Sequence, residues 1–595
     1  MINKNRSKKI LFLFFLLLLA FVLFLSVMFM NALKSRKSPS LYTSSSTKAQ
    51  RGSIISADGF HIATTKKLYK AMLNTKNIDP EKKELFIELF SIYSGMDQNK
   101  IRKKINSRQG TIVLSYQIGP KVALYLKSLA FELLKYKVFV EYEGPHGERI
   151  LQGLSIIESG ETRLYPYGKL LTPLIGYPQK IEDDGYTRVY GVKGIEKSFE
   201  EELSAQKDGK QFALRDVNSY MILNRQSFTQ APIHGYDIKL NIPVTLQIKV
   251  EQTLEHYKEE LQAKEISIIL MESKSGKIIS LGSSNRFFPK DIQKRDYPSL
   301  NTSAIEYSFE PGSVIKPITF ALLLDQKLIN PYDLVSGHNG RYKIDKKIIT
   351  DEHKFDWMGA EDVIIYSSNI GIAQLSQKLK GIDFYDGFKK FGLTQYSGLD
   401  LPYERKGNMP YIRQLNHDIY KATTGYGYGM RSNLMQLVKA YNIFNNNGRI
   451  ITPYIVEGFF DHHGRLVKTE HEKALQVIST ATAQRMKKIL VKTVNQGTGI
   501  HTRTQGIQIG GKTGTAHIAE KGHYVNKYNS SFIGFANDAS KKYTLGVTVI
   551  EPGDKYFASQ TAVPVFKAII DILIDEAYLT PDYKKFPLPL YVKKH

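Results

Sequence analysis

The sequence predicts a multidomain α+β protein: a single N-terminal membrane-spanning helix, a mixed α/β scaffold domain, and a C-terminal domain with an antiparallel sheet flanked by helices. Three observations predict it. Residues 10–30 (ILFLFFLLLLAFVLFLSVMFM) carry no charge, strand-like runs stand at both ends of the region after residue 235, and helical periodicity fills the stretch between them. A length of 595 residues exceeds the ~100–200 of one domain. With 42% hydrophobic and 23% charged residues, wholesale disorder is excluded. No cysteine is present, which excludes disulfides, thiolate metal sites, cysteine nucleophiles and a lipidated cysteine anchor. The 82 Lys+Arg against 57 Asp+Glu give a formal charge of +25, which admits nucleic acid, an anionic membrane face or an acidic substrate.

Residues 10–30 as a helix would be roughly 31 Å long, matching a hydrocarbon core of ~30 Å. A cleaved signal peptide would have an apolar run of only ~7–15 residues and a small-x-small cleavage site; Met30-Asn31-Ala32-Leu33 is a poor one, so an uncleaved anchor is expected. Lys4, Arg6, Lys8 and Lys9 precede the span and Lys34, Arg36 and Lys37 follow it, a slight preference for a cytoplasmic N-terminus. This flanking charge is the densest in the chain and suits anionic headgroups, whereas the remaining basic residues are interspersed and no nucleic-acid module uses them. Residues 38–46 are Ser/Thr/Pro-rich and read as linker. The segment 51–235 mixes strand-like runs (KVFVEY, ESGETRLYP) with helical stretches such as PEKKELFIELFSIY, and carries no nucleotide fingerprint or metal spacing. Beyond it, DIKLNIPVTLQIKVEQTLEHYKEEL reads as a strand entering a long helix, and ISIILMESKSGKIISLGSS as a hairpin about a Lys-Ser-Gly turn. Helical periodicity runs from about 315 to 444, then SSFIGFAN and YTLGVTVIEP return to strands before an amphipathic stretch at 565–578.

The chemistry concentrates in three places. In EPGSVIKP (310–317), Pro311-Gly312 ends one segment and ITFALLLD continues as a helix, so Ser313 and Lys316 stand three apart near a helix start. A serine hydroxyl is a weak nucleophile that needs a base, and a lysine serves when burial depresses its pKa. Ser367-Ser368-Asn369 precedes a helical run, and Gly510-Gly511-Lys512-Thr513-Gly514-Thr515 enters β-rich sequence. Each short pattern recurs elsewhere by chance, as at Ser204–Lys207 and Lys274-Ser275-Gly276; order and context distinguish these three. A rival lies in Gly506–Thr513, which fits the phosphate-loop pattern. Such a loop follows a buried strand and opens a helix, whereas here polar sequence precedes and β-like sequence follows. The 14 histidines form no HExxH pattern, and a surface role is expected for His462-His463.

The ordered set resembles the S-x-x-K, S-x-N and K-T-G motifs of penicillin-binding proteins and serine β-lactamases. TTGYGYGMRSNLMQLVKAYNIFNNNG (423–448), GGKTGTAH (510–517) and TAVPVFKAI (561–569) resemble blocks of class B penicillin-binding proteins, as do RLYPYG (163–168) and GVKGIEKSFEEEL (191–203) of the pedestal. RGSIISADG (51–59) resembles R-G-x-I-x-D-R-x-G with Ser56 and Ala57 in place of the acid–base pair, and LNIPVTLQ (240–247) places Asn241 and Pro243 where Thr and Asp are usual.

The resemblance implies a cytoplasmic tail at 1–9, an anchor at 10–30, a linker at 31–50, a non-catalytic pedestal at 51–235 and a penicillin-binding transpeptidase domain at 236–595. It implies a peptidoglycan D,D-transpeptidase of the inner membrane with a periplasmic catalytic domain, acting on stem peptides and lipid-linked precursor and acylated by β-lactams. Ser313 is the expected nucleophile, Lys316 the base, Ser367 a proton relay held between Lys316 and Lys512, and Asn369 a substrate-orienting amide. Lys512, Thr513 and Thr515 are expected to bind the terminal carboxylate, Gly514 to let substrate lie against the strand, and the N–H groups of Ser313 and Thr515 to form the oxyanion hole. No metal or diffusible cofactor is needed, and no nucleic acid is expected. The segment 38–235 does not resemble a glycosyltransferase, so a glycosyltransferase of the shape–elongation–division (SEDS) type and other divisome proteins are expected partners. E-P-G-S-x-x-K is closer to the septal FtsI type than to the elongation type. The alternatives are lateral-wall transpeptidase, D,D-carboxypeptidase or β-lactamase-like hydrolase, and non-catalytic sensor.

Overall fold

The computed structural model describes residues 3–33, 41–144, 147, 149–183, 185–216, 221–520 and 522–587. The chain divides into two units, one of Met1–Ala49 with Lys207–Ile233 and one of Gln50–Gln206 with His234–His595.

In the first unit the helix Asn3–Leu33 includes the whole expected span and is long and apolar enough to cross a membrane. Lys34, Arg36 and Lys37, with part of the expected linker, lie outside the described residues. The rest of that linker departs from expectation: Tyr42–Thr47 (YTSSST) is a strand, antiparallel to Gly209–Arg215 from Tyr42↔Leu214 to Thr47↔Gly209. Its partner comes from over 150 residues away, which local composition cannot reveal. Asp208 fixes its end by accepting from Lys48 Nζ and Ala49 N, both at 2.9 Å.

In the second unit a nine-stranded sheet joins segments far apart in sequence. Its long strands His61–Asn74 and Leu154–Leu164 pair antiparallel, while Asp237–Leu240 lies between Ile54–Ile55 and Val456–Phe460. Three blocks of the pedestal resemblance meet beside it. Arg51 donates to Glu196 from Nε at 2.9 Å and Nη2 at 2.8 Å, and Arg163 Nε donates to the other oxygen of Glu196 at 2.6 Å. Arg163 Nη1 also reaches Gly52 O and Thr65 Oγ1. Burial alone would raise the Glu196 carboxyl, but the two guanidiniums hold it below the usual carboxylate range. Arg51 also pairs with Glu200, but Arg163 pairs with Glu196, so removing this carboxylate strips a buried guanidinium of its ion pair and Glu196→Ala is expected to cost about 3–5 kcal/mol, read as a lowered melting temperature of the full chain in detergent.

The replaced acid–base pair has a structural answer. Asp58, two residues beyond Ser56, accepts Val244 N at 3.0 Å, Thr245 N at 3.2 Å and Thr245 Oγ1 at 3.1 Å, at the start of the helix Val244–Glu260. Ser56 Oγ donates to the same carboxylate at 2.5 Å. Pro243 cannot cap that helix through its side chain, so the cap comes from the 51–59 block.

The catalytic half is built on a five-stranded antiparallel sheet in the order Ile278–Ser283, Glu265–Glu272, Lys542–Ile550, His523–Asn537, Gln508–Glu520. Both faces are covered, and alternation along each strand sorts the side chains. Ile266, Ile268, Leu270, Phe532 and Val547 pack with the helices Val244–Glu260 and Ala562–Asp575. Ile269, Met271, Ile533 and Phe535 belong to the opposite core, with the helices Lys316–Asp325, Leu434–Asn445 and Thr480–Gln496. The expected hairpin, the late strands and the C-terminal helix are all present. The stretch 315–444 is not helical throughout, because Leu334–Ser336, Arg341–Ile344, Lys347–Thr350 and Trp357–Gly359 form two small antiparallel pairs. RYKIDKKIIT holds a two-residue turn at Asp345-Lys346, with Asp345 at φ 52°, and the hairpin presents the next residues to the site.

Candidate active site

Three chain segments converge on a cleft of about 360 Å³ lined in part by Ser313, Ser367, Asn369, Thr513, Thr515 and Glu352. Ser313 sits in the single 3₁₀ turn Gly312–Ile315, immediately before the helix that starts at Lys316, with Pro317 in its first turn where its missing N–H costs nothing. The turn is held from outside. Gly312 N donates to Gly427 O at 3.1 Å, and Tyr441 OH, from a fully buried ring, donates to Val314 O at 2.7 Å. A Cβ at Gly427 would stand 2.1 Å from Gly312 O, and Gly427 has φ 88°, so the TTGYGYG block needs glycine to seat the turn that carries Ser313.

Lys316 is fully buried, and Nζ donates to Ser367 O at 2.5 Å and Ser367 Oγ at 3.2 Å. Ser367 has φ 62°, an uncommon backbone for a non-glycine residue, and it turns both oxygens toward that ammonium. Burial lowers the Lys316 pKa to about 7, against the opposing pull of Asp351 and Glu352. Lys512 is likewise fully buried; burial and then the charge of Lys316 push it well below the ordinary lysine value. Two neighbouring ammonium groups in one dry site disfavour each other, so the free site resists holding both protons. Lys512 Nζ donates to Thr513 O at 3.2 Å and Thr513 Oγ1 at 3.3 Å, and Thr513 Oγ1 donates to Thr498 Oγ1 at 2.7 Å. Among the described residues no hydrogen bond joins Ser313 Oγ to Lys316, or Ser367 to Lys512. The serine–lysine contact made in this state is Lys316–Ser367.

Gln508–Glu520, which carries Lys512 to Thr515, is the edge strand of the sheet, so one side of its backbone faces the cleft unpaired. It continues a sheet rather than opening a helix, which excludes the phosphate-loop reading of 506–513. Thr515 Oγ1 accepts Ala558 N at 3.1 Å. A Cβ at Gly514 would come within 2.9 Å of both Pro311 O and Val314 Cγ1, so packing against the Ser313 turn already demands glycine there.

Asp351 is a residue that motif reading misses. It accepts Asn369 N at 2.6 Å, Ile370 N at 3.2 Å and the Ser368 hydroxyl, capping the helix Asn369–Ser376. Thr350 O accepts Asn369 Nδ2 at 3.0 Å, which fixes the amide of the S-x-N motif. The signal was the hairpin pattern before Thr350, hidden inside a stretch read as helical.

The penicillin binding protein transpeptidase domain family matches residues 266–571, and the penicillin-binding protein dimerisation domain family matches 46–240. The chain therefore belongs to the penicillin-binding protein transpeptidase family. It is 26% identical to the probable peptidoglycan D,D-transpeptidase PenA of Neisseria gonorrhoeae, over 93% of this chain and 89% of that protein. It is 28% identical to the peptidoglycan D,D-transpeptidase FtsI of Buchnera aphidicola subsp. Schizaphis graminum, over 82% of this chain and 79% of the relative. In fold it is similar to penicillin binding protein 2X of Streptococcus thermophilus, with a TM-score of 0.72 at 18% identity, covering 91% of this chain and 83% of that one.

Proposed function

We propose that this chain is a serine-type peptidoglycan D,D-transpeptidase and a target of β-lactams. The observation that supports it most directly is a lysine of pKa about 7 held 3.2 Å from a serine hydroxyl in the cleft that Ser313 lines. Neutral Lys316 takes the Ser313 proton as Oγ attacks the carbonyl of the penultimate D-Ala. The C–N bond to the terminal D-Ala breaks, and the proton passes through Ser367 to the departing amine. An acyl-enzyme ester remains. A primary amine of a second stem then attacks the ester carbonyl, the C–Oγ bond breaks, and a proton returns along the same path to Ser313. Lys512, Thr513 and Thr515 receive the donor carboxylate, whose negative charge favours protonated Lys512. Asn369 orients the substrate amide, the donor peptide lies along the open edge at Gly514, and the N–H groups of Ser313 and Thr515 stabilise the oxyanion, each worth roughly 3–4 kcal/mol.

Under this reading the anchor places the catalytic half on the periplasmic side of the inner membrane, 51–235 serves as pedestal and 236–595 carries the reaction. A glycosyltransferase of the SEDS type supplies glycan, and the septum is the site of action, a choice supported by the E-P-G-S-x-x-K block and by the FtsI relatives. The test is turnover of a peptide ending in D-Ala-D-Ala with a primary-amine acceptor by the full chain in detergent. One D-Ala released per cross-link is expected. Release without cross-link would make the enzyme a carboxypeptidase, and no release overturns the proposal. In cells, depletion is expected to give filaments; rounding would assign the lateral wall instead.

A further inference from the structure

The cleft carries an acid that none of the expected roles uses. Glu352 lines it together with Ser313, Asn369 and Thr513, and the residue is exposed. Among the described residues its carboxylate makes no hydrogen bond or ion pair with the protein. Its neighbour is different. Asp351 is saturated by the Ser368 hydroxyl and the amides of Asn369 and Ile370, and Thr350 O holds the Asn369 side chain. The backbone is thus pinned immediately before Glu352, which fixes where residue 352 projects without tying its carboxylate into a hydrogen bond or ion pair. The edge-strand side of the cleft is rich in hydroxyls, Thr513, Thr515 and Thr498, with the buried Lys512 behind them donating to Thr513 Oγ1. An unpaired carboxylate from the 345–357 hairpin region thus shares the cleft with the hydroxyls of the edge strand, within electrostatic reach of Lys316 and Lys512.

We infer that Glu352 docks a primary ammonium group of the substrate peptides at the hairpin side of the cleft. The inference rests on the acyl-transfer reading, and it names the chemistry that reading leaves unassigned. A donor ending in a carboxylate occupies the Lys512 side. An attacking amine is carried as an ammonium at neutral pH, since an alkylamine has a pKa near that of lysine, about 10.4. Of the two carboxylates lining the cleft, Asp351 is committed to Ser368, Asn369 and Ile370 while Glu352 is not, so an ammonium finds its complementary charge at Glu352. Glu352 is a docking group and not the base. The ammonium sheds one proton to solvent before attack; of the two N–H protons left, one follows the Ser367 path to Ser313 Oγ and one stays on the new amide. Two groups have this chemistry, the acceptor amine and a free side-chain amine on the donor.

The experiment measures the full chain in detergent in two arms. The first uses an amine-free acyl donor and follows the ratio of aminolysis to hydrolysis of the acyl-enzyme, with a primary-amine acceptor and with its hydroxyl analogue. That ratio is independent of how fast the acyl-enzyme forms. The second compares KM for donors with a free or an N-acetylated side-chain amine. A charge-assisted hydrogen bond predicts a roughly tenfold fall for Glu352→Gln in one arm, with most of it recovered in Glu352→Asp. A fall in the first arm, with the hydroxyl acceptor changing by less than about twofold, assigns the acceptor; a rise in KM for the free-amine donor alone assigns the donor. If wild type turns over and Glu352→Gln alters neither arm, or lowers the hydroxyl acceptor as much as the amine, the assignment is overturned by itself. A wild type that never forms an acyl-enzyme overturns the acyl-transfer reading, and the docking role with it.

Discussion

Ser313→Ala is expected to abolish covalent labelling by a fluorescent penicillin, a loss on the order of 10⁶ in acylation rate, as for removal of the nucleophile of a serine hydrolase. The change deletes one oxygen and leaves the turn intact, because Gly312, Val314 and the turn backbone are held by Gly427 and Tyr441 rather than by the Ser313 side chain. Its effect on stability should stay within about 0.5 kcal/mol, the range for substitutions that break no packing or buried polar contact. Labelling on a denaturing gel and a melting curve on the same preparation separate chemistry from folding. Wild-type labelling by Ser313→Ala would sink the assignment, and attention would pass to Ser367 and Ser368, the other cleft hydroxyls beside Lys316. Ser368 is already committed as the N-cap of Asn369–Ser376, donating to Asp351 and accepting Gly371 N at 2.8 Å. Ser367, which lines the cleft and accepts from Lys316 Nζ at 3.2 Å, would then be the nucleophile to test next.

What could be read from the sequence was what local pattern encodes. The hairpin at 265–283, the strand–helix step at 237–260, the turn before Lys316 and the strand holding Lys512 each follow from residues adjacent in the chain. The three motifs could be ranked above their chance copies because each sat on an element suited to its task. What stayed hidden depends on partners far away. Tyr42–Thr47 reads as linker until Gly209–Arg215 pairs with it, and Asp58 fills an unspecified position of the 51–59 block until it meets Val244 N. Asp351 and Glu352 were obscured for a different reason. The strands around them are three or four residues long, too short to show a period of two against the helical periodicity of their surroundings. The site thus draws its serines and lysines from legible elements and its acids from an illegible one. The acids moderate the lysines, so the electrostatics of the cleft were the least readable part of it.

Those electrostatics make the second large effect predictable in sign. Lys316→Met keeps an unbranched chain of similar volume and removes the base, so acylation is expected to fall by about 10²–10⁴-fold. In the wild type the base form requires loss of a proton at about pH 7. Acylation should therefore rise with pH and level off above 7, and at pH 5.5 it should be about thirtyfold below the plateau. The same proton gives an independent check through stability. Lys316 titrates near 7 when folded and near 10.4 when unfolded, so between those values the unfolded chain binds more protons and wild-type stability rises with pH. Below 7 the penalty of burying this lysine is complete; above about 10.4 it has vanished. The melting temperature of Lys316→Met relative to wild type should accordingly be highest at or below pH 7 and decline steadily toward pH 10. A variant that loses acylation while its relative stability follows that slope shows one buried amine responsible for both. A flat difference across pH 7–10 would mean that Lys316 keeps an ordinary pKa, and the general base would then have to be sought at Lys512, the other fully buried amine of the cleft.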